Sequence, residues 1–268
     1  MLVDGKWTKG RQPSLFVSHG SPMMAVEDSK TSAFLRRLGK QLTRPDAIVV
    51  FSAHFDLPED IVITAGESPE TIHDFYGFPS ELYTIHYNAP GSPKLAKDIA
   101  GRFMQAGLSP VLDKQRGWDH GVWIPLRLMF PEATIPVVQI SINSRLGAQR
   151  NFDYGQLLAP LRDNNILIIG SGGISHNLRE MFNPQPTPDR VAMVEAFTGW
   201  IEQKLDSADI PALLNYMDEA PFVRFNHPTQ EHFLPLIAAL GSGKNGLAKK
   251  IHQDTEYEIL AMDAYLFA

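Results

Sequence analysis

Ala47-Ile48-Val49-Val50-Phe51 runs without a polar break into Ser52-Ala53-His54, and this segment constrains the chain most. A strand with one face in water alternates apolar and polar residues. A continuous apolar strand is buried on both faces and needs helices on both sides of its sheet. Leu15-Phe16-Val17 is a second such run and closes on Ser18-His19-Gly20-Ser21-Pro22. Ile166-Leu167-Ile168-Ile169 is a third and runs into Gly170-Ser171-Gly172-Gly173-Ile174-Ser175-His176. Shorter strands are expected at Ile61–Ala65, Val111–Leu112 and Pro136–Ile142. Helical patterns separate them. Residues Ser29–Leu42 carry Phe34, Leu35, Leu38 and Leu42 at helical spacing, and Pro93–Ala106 has proline near its start and Gly107 just past its end. Phe152–Arg162 and Val191–Leu205 read as further helices, and the block from Asn226 opens another that reaches Leu240. Strands alternating with helices give an α/β sandwich, with a central mostly parallel or mixed sheet covered by helices on both faces. No repeat or linker divides the 268 residues. The expected organisation is a tail over residues 1–14 and one catalytic domain over 15–268.

Residues 67–93 break the pattern. They hold four prolines, the aromatics Phe75, Tyr76, Phe78, Tyr83 and Tyr87, and the histidines His73 and His86. This reads as a long ordered loop with one strand near Leu82–Tyr87, and long aromatic loops are often functional. Val122–Phe130 is a further apolar segment, preceded by Asp119-His120-Gly121.

Composition narrows the chemistry. With no cysteine, the chain has neither disulfides nor thiolate metal ligands, so any metal sits on His, Asp or Glu. The balance of 24 basic against 30 acidic residues leaves no cluster of Lys or Arg beyond a pair, which argues against a nucleic-acid groove. No apolar run approaches the length of a membrane span, and Met1–Gln12 is polar and lacks the apolar core of a signal peptide. A cytoplasmic protein, monomeric or a small homo-oligomer, is the expectation.

Three histidines share one context: His19, His54 and His176 each follow an apolar strand. Ligands in open α/β sheets bind beyond the carboxyl ends of the strands, so parallel neighbours would gather these imidazoles at one edge. Read singly, each could simply cap its strand. Read together, they point to a metal site, since imidazole is the usual ligand where thiolates are absent. A third ligand is offered by Glu231-His232, read as lying at a helix start. Adjacent helical residues point about 100° apart, so only one of the two would face the site. Glu231 would give two histidines and a carboxylate, as in non-haem Fe(II) oxygenases; His232 would give three neutral histidines, which suits zinc. Asp119-His120-Gly121, between Trp118 and Trp123, suits an imidazole in an aromatic pocket. His73, His86, His227 and His252 carry no signal beyond ordinary structural histidines.

Several motifs fail. Gly170-Ser171-Gly172-Gly173-Ile174-Ser175 lacks the last glycine of a dinucleotide fingerprint, and Gly241-Ser242-Gly243-Lys244-Asn245 lacks the spacer and hydroxyl of a phosphate loop. Ser18-His19-Gly20-Ser21-Pro22 is not a nucleophile elbow.

Eight blocks occur in order: His19-Gly20-Ser21-Pro22, Ser52-Ala53-His54, Thr71-Ile72-His73-Asp74-Phe75, His86-Tyr87, Ala89-Pro90-Gly91-Ser92-Pro93, Asp119-His120-Gly121, His176-Asn177-Leu178 and Glu231-His232-Phe233-Leu234-Pro235-Leu236. The series resembles the DOPA-4,5-dioxygenase type of the class III extradiol ring-cleavage dioxygenases, from about Leu15 to the last helix. The resemblance implies one divalent metal per chain, zinc or Fe(II), on His19, His54 and His232. It implies His176 as acid/base over the substrate and as a possible fourth ligand, and His120 as a second active-site histidine. The implied partners are a small aromatic diol such as DOPA and dioxygen, and the implied product is a muconic semialdehyde. Two other readings stand beside it: a zinc hydrolase using three histidines and an activated water, and a non-catalytic protein that binds metal or catechol.

Overall fold

In a computed structural model the described residues are 2–3, 6–7, 10–58, 61–243 and 247–268. Lys244 and Asn245, and part of the expected tail, lie outside them. The sheet has eight strands: β1 (Ser14–Ser18), β2 (Ala47–Asp56), β3 (Val62–Thr64), β4 (Val111–Asp113), β5 (Val137–Ile142), β6 (Ile166–Gly172), β7 (Ala248–His252) and β8 (Ala264–Phe267). Their order is β4-β3-β5-β2-β6-β1-β8-β7. The four central strands, β5-β2-β6-β1, are parallel. Both flanks join antiparallel, through β3 on β5 and β8 on β1.

The apolar runs serve two faces at once, because successive residues of a strand point to opposite sides. Val49, Phe51, Ile166 and Ile168 pack with α2 (Pro93–Gln105), α4 (Gly147–Leu158), α5 (Arg190–Asp206) and α6 (Leu234–Ser242). Their neighbours Ile48, Val50, Leu167 and Ile169 pack with α1 (Lys30–Gln41) and α3 (His120–Met129). Local chemistry sets the helix starts. Ser29 caps α1 in a reciprocal pair with Ser32, and Pro93 takes the first turn of α2 behind the Ser92 cap.

Three expectations need correction. Residues 80–84 form a 3-10 turn, not a strand, because Pro79 and the Thr84 side chain on Glu81 O favour a local turn over ladder pairing. The helix expected over Phe152–Arg162 begins at Gly147 and ends at Leu158, since Pro160 tightens the chain into a 3-10 segment over Ala159–Asn164. Glu231-His232 is not at a helix start: α6 begins at Leu234, and the pair lies in the turn before it. The antiparallel strands β7 and β8 were not anticipated, and residues Leu2–Val3 pair with Lys6–Trp7.

The order β2-β6-β1 brings the carboxyl ends of the three histidine-bearing runs side by side. The glycines after β6 then admit a fourth element. A Cβ on Gly172 would collide with the carbonyl of His232, and the Gly173 N–H donates to that same carbonyl at 2.9 Å. The motif that fails as a nucleotide loop therefore lets the His232 turn lie against the sheet edge.

Candidate metal centre

Five imidazoles meet at this edge. His19 follows β1, with Gly20 in the left-handed region (φ +56°) turning the chain away behind it. His54 lies near the end of β2, His120 opens α3, His176 follows β6, and His232 sits in the turn before α6. His19 Nε2 and His54 Nε2 are 3.0 Å apart. The His54 ring centre is 3.9 Å from that of His120 and 5.0 Å from that of His232. His176 and His232 stack in parallel at 3.4 Å. The donor atoms of His19, His54 and His120 lie within 4.8 Å of one another, as do those of His176, Glu231 and His232. Every candidate site residue thus falls in one cluster. His73 and His86 stand apart in the aromatic loop, and His252 stacks on Phe34 far along the chain.

Hydrogen bonds fix the tautomers of His19 and His232. Pro125 has no N–H, so the carbonyl of Gly121, four residues earlier in α3, has no helical donor. Ser171 Oγ donates to it. That spends the only hydroxyl proton, so Ser171 Oγ must accept from His19 Nδ1 at 3.0 Å, leaving a lone pair on His19 Nε2. His232 Nδ1 donates to Glu231 Oε1 at 3.0 Å, and its Nε2 is buried with no hydrogen-bond partner. His54 Nδ1 faces Asp74 Oδ2 at 3.5 Å. An oxygen behind each Nδ1 leaves Nε2 of His19, His54 and His232 available as a ligand, on rings whose centres lie 4.9, 5.0 and 5.5 Å apart. At 3.0 Å the Nε2 atoms of His19 and His54 either share a proton or bind one cation, and outer acceptors of this kind are what orient metal-ligating histidines. The donor set therefore fits a divalent metal ion. Glu231, the alternative third ligand, is turned onto the back of His232, with Thr229 Oγ1 donating to it at 2.9 Å.

Charge follows burial. Desolvation, then the neighbouring histidines, holds His19 and His232 well below the usual imidazole range. Burial, then His120, lowers His54 to about 3, and burial lowers His176 to about 4. All four are neutral at pH 7, the form that can donate a lone pair.

Several contributors are not among the site residues that the sequence singles out. Asp74 accepts the His120 backbone N–H at 2.9 Å, and its Oδ1 stands 3.0 Å from His120 Nδ1. Bonding to His120 lowers its carboxyl to about 2 against the opposing effect of burial. Asp119 turns away from His120: it accepts from Ser52 Oγ at 2.7 Å, from Arg116 at 3.0 Å and from Gln139. Arg116 also donates to the His54 carbonyl at 2.9 Å, so this buried network braces β2 behind the ligand edge. Asp74 lies in the Thr71–Phe75 block, which was the available signal for it. Changing Asp74 to Asn should weaken divalent-metal affinity about 10–100-fold with the protein still folded, the usual effect of an outer carboxylate. Metal titration alongside thermal melting checks it, and unchanged affinity would remove Asp74 from the site.

The sequence matches the family described as the catalytic LigB subunit of aromatic ring-opening dioxygenase, over residues 13–268. The chain belongs to this family. A 4,5-DOPA dioxygenase extradiol of Beta vulgaris is 41% identical to this LigB-family chain over 260 residues, covering 95% of it and 96% of the relative. The protein of the same description from Escherichia coli K12 is 41% identical over 239 residues, covering 87% and 85%. The crystal structure of an uncharacterized protein from Escherichia coli K12 superposes with a TM-score of 0.79 at 34% identity, covering 96% of this chain and all of that one. The central sheet and helix layers expected for the family are those observed, and the chain is an extradiol-type ring-opening oxidoreductase by membership. Among the described residues no helix is long and apolar enough to cross a membrane.

Proposed function

We propose that this protein opens the ring of a catechol such as DOPA beside its two hydroxyls, inserting both atoms of dioxygen to give a muconic semialdehyde. The observation that carries the reading is the clustering of the His19, His54 and His232 rings, with Nδ1 of each facing an oxygen. Those three residues would hold the metal. Bound Fe(II) would supply a redox path between catechol and dioxygen that zinc, with no accessible redox change, does not.

The chain's own residues supply binding and proton transfer. His176 is neutral, stacked on His232 and partly exposed. It is placed to take a proton from a catechol hydroxyl and return it to an oxygen as the O–O bond breaks. His120, held by Asp74, has its ring centre 3.9 Å from that of His54 and would hydrogen-bond a substrate oxygen. Phe75 lies edge-on to His120 at 5.7 Å and joins Phe78, Tyr83 and Trp123 in an aromatic wall suited to a flat ring. The 4,5-DOPA dioxygenase extradiol relatives support DOPA as the substrate to try first.

The test is oxygen uptake with L-DOPA after anaerobic loading with Fe(II), beside a zinc-loaded control. Uptake with a yellow product in the iron sample alone is the expected result. No uptake with any catechol after iron loading would move the hydrolase or binding reading ahead.

A further inference from the structure

One buried imidazole takes no part in the cluster. His227 is 1% exposed and lies between the rings of Phe197 and Phe233, at 5.5 and 5.3 Å. Its Nε2–H donates to the carbonyl of Ile174 at 2.7 Å, while its Nδ1 is buried without a hydrogen-bond partner. A phenylalanine would pack in this apolar place and leave no orphaned nitrogen. What histidine adds there is the single bond to Ile174, two residues before His176.

That bond belongs to a set. The His176 N–H donates to Asn226 O at 2.8 Å, and Asn177 Nδ2 donates to Phe225 O at 2.6 Å. Ser175 Oγ donates to Ile259 O and accepts from the Ala261 N–H. The loop leaving β6 is therefore tied down residue by residue, and His227 supplies a side-chain tie to it from the helical turn below. We propose that His227 is a positioning residue, whose Nε2–H holds the Ile174 carbonyl and thereby sets His176 parallel to His232. This rests on the reading of His176 as the acid/base.

The test compares His227→Gln, His227→Asn and His227→Phe in the iron-loaded full chain. Glutamine places an N–H where Nε2 stands; asparagine is one bond short, and phenylalanine has no donor. In the Asn and Phe variants kcat should fall at least about tenfold, with KM and bound metal within about twofold, because a small misplacement of a reacting group slows the chemical step. Amide exchange of residues 173–177 should rise at least about tenfold in the same variants. Glutamine should restore both. If Phe does not fold, the Gln and Asn pair decides. Wild-type kcat and exchange in the Asn variant would overturn the proposal, as would equal impairment in Gln and Asn, or loss of metal in step with kcat. A wild-type protein without turnover on any catechol would sink the proposed function, and the exchange comparison would still decide the position of the loop.

Discussion

His19→Ala and His54→Ala, made separately, should abolish stoichiometric metal binding and, with it, catechol-dependent oxygen uptake. Each variant removes one of the three proposed imidazole ligands, and the two that remain cannot close a site around a divalent ion. The loss should exceed the roughly 10–100-fold expected from outer residues such as Asp74. The folded apo proteins should survive. Both histidines are neutral groups, so alanine at either position leaves no buried charge unpaired. A second readout is independent of turnover. A ligand present at about 100 times its Kd stabilises the native state by about 2.7 kcal/mol, so added metal should raise the melting temperature of the wild type and leave both variants unmoved. Metal analysis of the purified proteins and melting with and without added Zn(II) would check this. Unchanged stoichiometry in both variants would overturn the ligand assignment.

The legible part of the fold was the part written in runs of apolar residues. Leu15–Val17, Ala47–Ala53 and Ile166–Ile169 fill both sides of a sheet, so their burial follows from composition alone, and their parallel adjacency brings His19, His54 and His176 together. Strands β7 and β8 had no such mark. β7 is a sheet edge carrying Lys249 and Lys250, charges that protect an edge from further pairing and disguise it as a loop. The choice between Glu231 and His232 stayed open because it was framed as a question of helical angles. The pair is in a turn, where the carboxylate folds onto its neighbour's Nδ1 and one residue orients the other. Ser171 and Asp74 act at long range in sequence, 152 and 20 residues from the histidines they hold, so spacing could not connect them. Pro125 shows how such a link is made: its missing N–H frees a carbonyl that occupies the Ser171 proton and so sets the His19 tautomer.

His176→Ala should separate binding from chemistry. His176 stacks on His232 at 3.4 Å but hydrogen-bonds through its backbone, so its removal leaves the three Nε2 donors and their acceptors in place. Metal content and catechol affinity should therefore stay within about threefold of wild type, while kcat falls about 10²–10⁴-fold, the range that general acid–base catalysis supplies. An interaction made only on the way to the transition state lowers kcat and kcat/KM together, and that is the pattern to look for. His176→Gln keeps a donor and much of the volume but cannot carry a proton, so it should be nearly as slow as alanine. A histidine needed only for packing would give the opposite order, with glutamine near wild type. The pH profile adds a check: with the proton acceptor gone, turnover should rise toward alkaline pH, where the catechol hydroxyl deprotonates without help. Activity retained in both variants would remove His176 from the proton path and leave His120, braced by Asp74, as the group to test next.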